Sequence, residues 1–144
     1  MANSSQIFNL IARINRANKL STKQQDELLE KHELTRLDWD IMYSLYRASQ
    51  VSQASLARSI ARAASNIRTP IEMLGSRGLI NRSTDVVDRR KNNMVLSHQG
   101  DDLVEKLLPH FESYHNQLME GIGLQEQKDL ERLLNIIVEN LKKK

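Results

Sequence analysis

The sequence predicts a mainly α (α+β) fold, helical along most of its length and interrupted by one small β-hairpin. Three observations predict it. Apolar residues recur at helical spacing, as in Ile7, Leu10, Ile11 and Ile14, and again in Leu130, Leu133, Leu134, Ile137 and Leu141. Five glycines and two prolines are few breakers for 144 residues, and aromatic residues make up only 4%. Two short strand-like stretches, 79–83 and 93–97, flank the charge-rich run from Thr84 to Asn92, the pattern of a hairpin with a long tip.

The length suits a single domain, and 40% apolar residues can supply a core. No apolar run exceeds three consecutive residues, so neither a membrane-spanning helix nor a signal peptide is expected. A cytoplasmic protein with no membrane partner is the expectation. The absence of cysteine removes disulfide scaffolds, thiolate metal sites and cysteine nucleophiles together.

In chain order, Ser4 or Ser5 is expected to cap a first helix that continues to about Lys31. Thr35-Arg36-Leu37-Asp38 reads as a capping box, with Asp38 in place of the usual Glu or Gln. The helix it opens carries two apolar stripes, one of Leu37, Ile41, Leu45 and Ala48, the other of Trp39, Met42, Tyr43 and Tyr46. Such a helix must be covered on both sides. Ser52 caps a third helix that turns Leu56, Ala57 and Ile60 inward. A fourth helical stretch ends before Gly78, a glycine suited to a left-handed C-terminal cap. Ser97 caps a long helix through Leu103, Leu107, Phe111, Tyr114 and Leu118, which Pro109 is expected to kink. Gly121-Ile122-Gly123 ends it, and a last helix follows.

Charge is unevenly spread. Residues 51–92 carry eight Lys/Arg against three Asp/Glu, net +5, while residues 1–50 carry +1 and residues 101–144 carry −3. A basic middle within a near-neutral and acidic frame suits a phosphate-binding module, although a solvated surface can show the same division.

Helix, tight turn, helix and then a basic hairpin is the order of a winged helix-turn-helix. The spacing Ala57-x3-Ala61-x5-Ile67 fits it: a small residue for close approach, a turn residue, and an aliphatic residue that locks the second helix. Residues 79–100, LINRSTDVVDRRKNNMVLSHQG, add a more specific pattern. Asp88 and Arg90 stand at the hairpin tip, followed in register by Leu96, Ser97 and Gly100. This stretch resembles the wing signature of the MarR family of dimeric bacterial transcription regulators. Thr35 to Leu45, with Trp39, is similar to that family's second helix, and Leu56 to Ile80 to its helix-turn-helix.

The resemblance implies one MarR-like domain over residues 1–144. Residues 34–100 would form the DNA-binding lobe, and residues 1–33 and 101–144 the dimerisation helices. Ser65, Asn66, Arg68 and Thr69 match base- and phosphate-contacting positions, and short polar side chains with an arginine suit the first turns of a major-groove helix. Ser65 and Asn66 are open to a second reading as helix caps. Arg62, just before, is a phosphate-contact candidate. Arg89, Arg90 and Lys91 stand where a wing cation meets the minor groove, against the alternative of a solvated charge run. Asp88 is expected to pair with Arg90 and stabilise the wing.

Two departures from the family pattern stand out. Ala61 occupies the turn position where the family usually has glycine. Pro70 falls inside the expected recognition helix, where proline removes the bond to the carbonyl of Asn66 and clashes with it. Thr69-Pro70-Ile71-Glu72 alone would read as a helix start. The expectation is a helix from about Ala64 to Arg77, disturbed locally before Pro70.

The resemblance also implies a crevice for a small aromatic or phenolic acid effector. Trp39, Tyr43 and Tyr46 would line it, with Arg13 or Arg16 meeting the carboxylate; ordinary core packing is the alternative for these aromatics. No metal site is expected, since His110 and His115 are five apart and cannot share an ion as an i, i+4 pair would. No cofactor or catalytic motif is found. The expected function is that of a homodimeric, ligand-responsive repressor binding double-stranded DNA at a pseudo-palindromic operator. The alternative is a helical protein-interaction module whose basic centre binds an acidic protein partner.

Overall fold

A computed structural model describes residues 3–60, 62, 64–84 and 92–143. The elements in order are α1 (Ser4–Glu30), α2 (Arg36–Ala48), β1 (Val51–Ser52), α3 (Gln53–Ser59), α4 (Ala64–Ser76), β2 (Ile80–Thr84), β3 (Asn92–Leu96), α5 (His98–Leu118) and α6 (Leu124–Lys142). The chain divides within α5 into two units, one ending at Lys106 and the other beginning at Leu107.

In the first unit, α1 is capped by Asn3, one residue before the serines expected to do so. Its side-chain oxygen accepts from the Ser5 N–H at 3.1 Å; an Asn amide reaches that donor as well as a serine hydroxyl does. The capping box of α2 is present: Thr35 Oγ1 accepts from the Asp38 N–H at 3.1 Å, and Asp38 Oδ2 accepts from the Thr35 N–H at 2.8 Å. Along α2, Trp39, Ile41, Met42 and Leu45 are buried, and the helix touches α1, α3, α4 and β3. Its two apolar stripes are thereby explained, since neighbours press on it from more than one side.

The hairpin pairs β2 with β3 antiparallel, from Ile80 opposite Leu96 to Thr84 opposite Asn92. A third strand, β1, pairs Val51 with Met94 and Ser52 with Asn93, giving the order β1-β3-β2. Two residues are too few to show a period, so the sequence does not announce β1.

Helix α4 ends in a Schellman motif. Gly78 takes φ +75°, its N–H donates to the Gly75 carbonyl at 3.0 Å, and Leu79 N–H donates to the Leu74 carbonyl at 2.9 Å. Ser97 caps α5: its Oγ accepts from the Gly100 N–H at 3.0 Å and donates to the Gly78 carbonyl. A side chain at Gly100 would overlap the Leu79 carbonyl, so this glycine lets the first turn of α5 seat against the start of the hairpin. The Leu-Ser-x-x-Gly pattern thus joins the hairpin to the helix that follows it. The core of this unit includes Leu29, Leu34, Ile41, Met42, Leu56, Ile67, Ile71, Leu74, Leu79, Ile80, Met94 and Val104. By contrast, the α1 stripe of Ile7, Leu10, Ile11 and Ile14 is exposed.

In the second unit, α5 continues through Pro109 to Leu118. The Phe111 and Tyr114 rings lie 6.4 and 5.8 Å from the His115 ring. The expected break falls where glycine allows it, with Gly121 at φ +82°. Gly123 begins α6, its N–H donating to Glu126 Oε1 at 3.3 Å. No residue of α6 is buried, and Leu130, Leu133, Leu134, Ile137 and Leu141 form an exposed apolar stripe along it. Among the described residues, no helix is long and apolar enough to cross a membrane.

Candidate nucleic-acid interface

Sequence places α3 and α4 as the two helices of the candidate interface, and local chemistry fixes both. Ser52 Oγ accepts from the Ser55 N–H at 3.2 Å to start α3. Leu56 and Ala57 of α3 are buried, as are Ile67, Ile71 and Leu74 of α4. The two helices touch along these faces. Ile60, expected to point inward, is only half-buried because α3 ends at Ser59 and Ile60 is its cap. Ala61 lies outside the described residues.

With Ile67, Ile71 and Leu74 held inward, the opposite face of α4 carries Ser65, Asn66, Arg68 and Thr69, all four exposed. Neither Ser65 nor Asn66 begins α4, which starts at Ala64. The helix continues through Pro70 to Ser76, so Thr69-Pro70 is not a helix start. The proline has no N–H for the Asn66 carbonyl, but Asn66 is exposed and water can serve that oxygen. Arg68 Nε pairs with Glu72 Oε1 one turn on, at 3.3 Å, with both side chains largely exposed. Such a surface pair contributes little to stability and opens readily to another anion.

Arg62 sits in the connection between α3 and α4, exposed, its N–H donating to the Ala57 carbonyl at 2.9 Å. Asp40 of α2 is half-buried, and burial raises its carboxyl above the usual range, while the positive charges of Arg36 and Arg62 partly offset this. Asp88, Arg89, Arg90 and Lys91 lie outside the described residues. Strands β2 and β3 are paired as far as Thr84 and Asn92.

Sequence reasoning passed over Glu72 and Met73, which share the exposed side of α4. The inward trio Ile67, Ile71 and Leu74 was the signal, since helical period places both opposite it. It also passed over the exposed Arg58 of α3, whose Nη2 donates to Ser55 Oγ at 3.1 Å.

The aromatics expected to line an effector crevice are partly together. Trp39 and Tyr43 stack at 5.7 Å with planes 9° apart, and Tyr46 is half-buried. An open hollow of about 520 Å³ lies beside Tyr43, bounded by Arg47, Val51, Ser55, Leu56 and Ser59. Neither Trp39 nor Tyr46 borders it. The cation there is Arg47, 5.9 Å from the Tyr43 ring, whereas Arg13 and Arg16 are exposed along α1 and border no part of it. Arg13 and Arg16 stand thirteen and ten positions before Asp26, the α1 residue that pairs with Arg36 at 3.3 Å.

The fold is shared with solved proteins. The crystal structure of AbsC, a MarR family transcriptional regulator from Streptomyces coelicolor, matches with a TM-score of 0.86 at 20% identity, over 100% of this chain and 99% of that one. A mutant of MarR from Escherichia coli, complexed with operator DNA, matches with a TM-score of 0.78 at 19% identity, over 95% and 99%. In sequence, an uncharacterized HTH-type transcriptional regulator of Bacillus subtilis, YwaE, is 26% identical over 125 residues, 87% of this chain and 73% of the relative. Residues 34–91 match the MarR family profile, a span that holds α2, α3, α4 and β2. With its helix-turn-helix and its hairpin in place, the chain is similar over residues 34–91 to the MarR family of transcriptional regulators, a family of DNA-binding proteins and not of enzymes.

Proposed function

We propose that the protein is a sequence-specific repressor that binds a pseudo-palindromic operator as a homodimer in the cytoplasm. The observation that carries this reading is the two-sided character of α4. Ile67, Ile71 and Leu74 fix one side, and Ser65, Asn66, Arg68 and Thr69 are presented on the other. Hydroxyl and amide groups beside an arginine are the donors and acceptors that base edges in the major groove accept. Arg62 is assigned to a flanking phosphate, and Arg89, Arg90 and Lys91 to the adjacent minor groove.

The exposed apolar stripes of α1 and of α6 support the dimer, since a second copy would take both out of water. A twofold axis would set two α4 helices about 34 Å apart, in successive major grooves. For the effector, the hollow beside Tyr43 is the favoured site: the ring offers an apolar wall and Arg47 a guanidinium for a carboxylate. An aromatic acid bound there would lie against both α2 and α3, and would shift the helix pair relative to the DNA.

Sedimentation and electrophoretic mobility shift test the reading together. The full chain should sediment as a dimer and retard a duplex carrying its site. Arg62→Ala should weaken that binding and lower its salt dependence by about one counterion. A monomer, or an Arg62→Ala variant with unchanged affinity and salt dependence, would contradict it.

A further inference from the structure

Exposed large apolar side chains are not scattered over the described residues. They occur on α1 up to Leu20 and again from Leu118 onward, with one exception between those groups, Met73. Met73 is 60% exposed on α4, while Ile71 and Leu74 on either side of it are buried. It stands four residues after Thr69 and seven after Asn66, so the three share one strip of the helix on the side away from the core.

We propose that Met73 reads a thymine by packing its thioether chain against the C5 methyl group. This rests on the reading that α4 enters the major groove. Of the four bases only thymine presents an apolar group on that edge, and side chains that specify it do so by apolar contact. A methionine is unbranched and polarizable, so it can follow a methyl group without demanding one fixed rotamer. The strip then combines two kinds of readout: the Asn66 amide can exchange hydrogen bonds with a base edge, and the Thr69 methyl and Met73 thioether provide apolar surface one turn apart. The basic character of residues 51–92, net +5, supplies the attraction that brings the duplex to this helix.

Selection from a random-sequence duplex library with the full chain gives the preferred site. Each thymine in that site is then replaced singly by deoxyuridine, which lacks only the methyl group. The wild-type protein should lose affinity at one thymine position by about fourfold, the change that one buried methyl group carries. Met73→Ala should bind the thymine and deoxyuridine forms equally at that position, and Met73→Leu should keep the difference. A Met73→Ala protein that retains the wild-type loss at every thymine overturns the proposal, as does a wild-type protein indifferent to every replacement. If selection enriches no duplex, base readout by α4 fails, and the assignment of Met73 fails with it.

Discussion

Arg77 Nη1 donates to the Glu33 carbonyl at 2.7 Å, and Nη2 of the same guanidinium donates to the His32 carbonyl at 3.0 Å. One side chain, just past the end of α4, thereby satisfies two carbonyls left open where α1 ends and Glu33 turns to φ 55°. The candidate recognition helix is held to the end of the long first helix through this fork. Arg77→Ala should lower unfolding stability by about 1–3 kcal/mol. Arg77→Lys should recover only part of the loss, because an ammonium lacks the planar two-point geometry. Chemical denaturation of the three proteins checks both statements.

Gly100 should tolerate no side chain. A Cβ there meets the Leu79 carbonyl, a backbone atom that cannot rotate away. Gly100→Ala should cost about 1–3 kcal/mol, the range for forcing an extra methyl group into a packed site. It should also loosen the link between the hairpin and α5. Hydrogen exchange should then be faster at the Ser97 N–H, which donates to the Leu79 carbonyl at 3.0 Å.

Asp40 gives the protein a pH-dependent stability contribution of defined sign. Burial raises its carboxyl in the folded state above the ordinary value of 3.8, against the pull of Arg36 and Arg62. The folded state therefore disfavours the charged form, and the resulting cost is fully present at neutral pH. That cost disappears as pH falls through the raised folded-state value. Asp40→Asn should melt at a higher temperature than the wild type at neutral pH, and the two should converge as pH falls toward 3.8. Melting curves across that range test it; a difference that does not shrink on acidification contradicts the assignment.

Pro70 is a second source of recoverable stability. The helix continues through it, so Pro70→Ala restores an N–H for the Asn66 carbonyl without altering the course of α4. A gain of up to about 3 kcal/mol is expected. The same change should alter the order of preference in a panel of single-base site variants, because the Asn66 carbonyl would then be drawn into the helix. Thermal melts read the first effect and competition binding reads the second.

Much of this fold is legible in the sequence because its signals are local. Thr35 with Asp38, Ser52, Gly78, Ser97 and the Gly121-Ile122-Gly123 break each mark an element end through the chemistry of one or two side chains, and each lies at or beside the end it marks. What escapes a sequence reading are features made by partners distant along the chain. Strand β1 exists because Val51 faces Met94, forty-three residues later. Arg77 reads as one more cation of the basic region until the fold brings it to Glu33. The arginine beside Tyr43 is the exception: Arg47 is local, a single helical turn away, yet nothing in the sequence sets it apart from Arg13 and Arg16. The polar face of α4 is readable from Ser65 to Thr69, but Glu72 and Met73 require the inward trio to be fixed first.

Whether α4 reads DNA is tested most directly by fluorescence anisotropy of the full chain on duplexes tiled across its own upstream region. The measurement is made at about 0.15 M salt, where unpaired surface charges are screened beyond about 8 Å. Tight binding to one tile is expected, with steep weakening on added salt and loss of that preference in an Arg68→Ala protein that remains folded. Equal binding to every tile, or no binding to any duplex alongside association with an acidic protein, would contradict it.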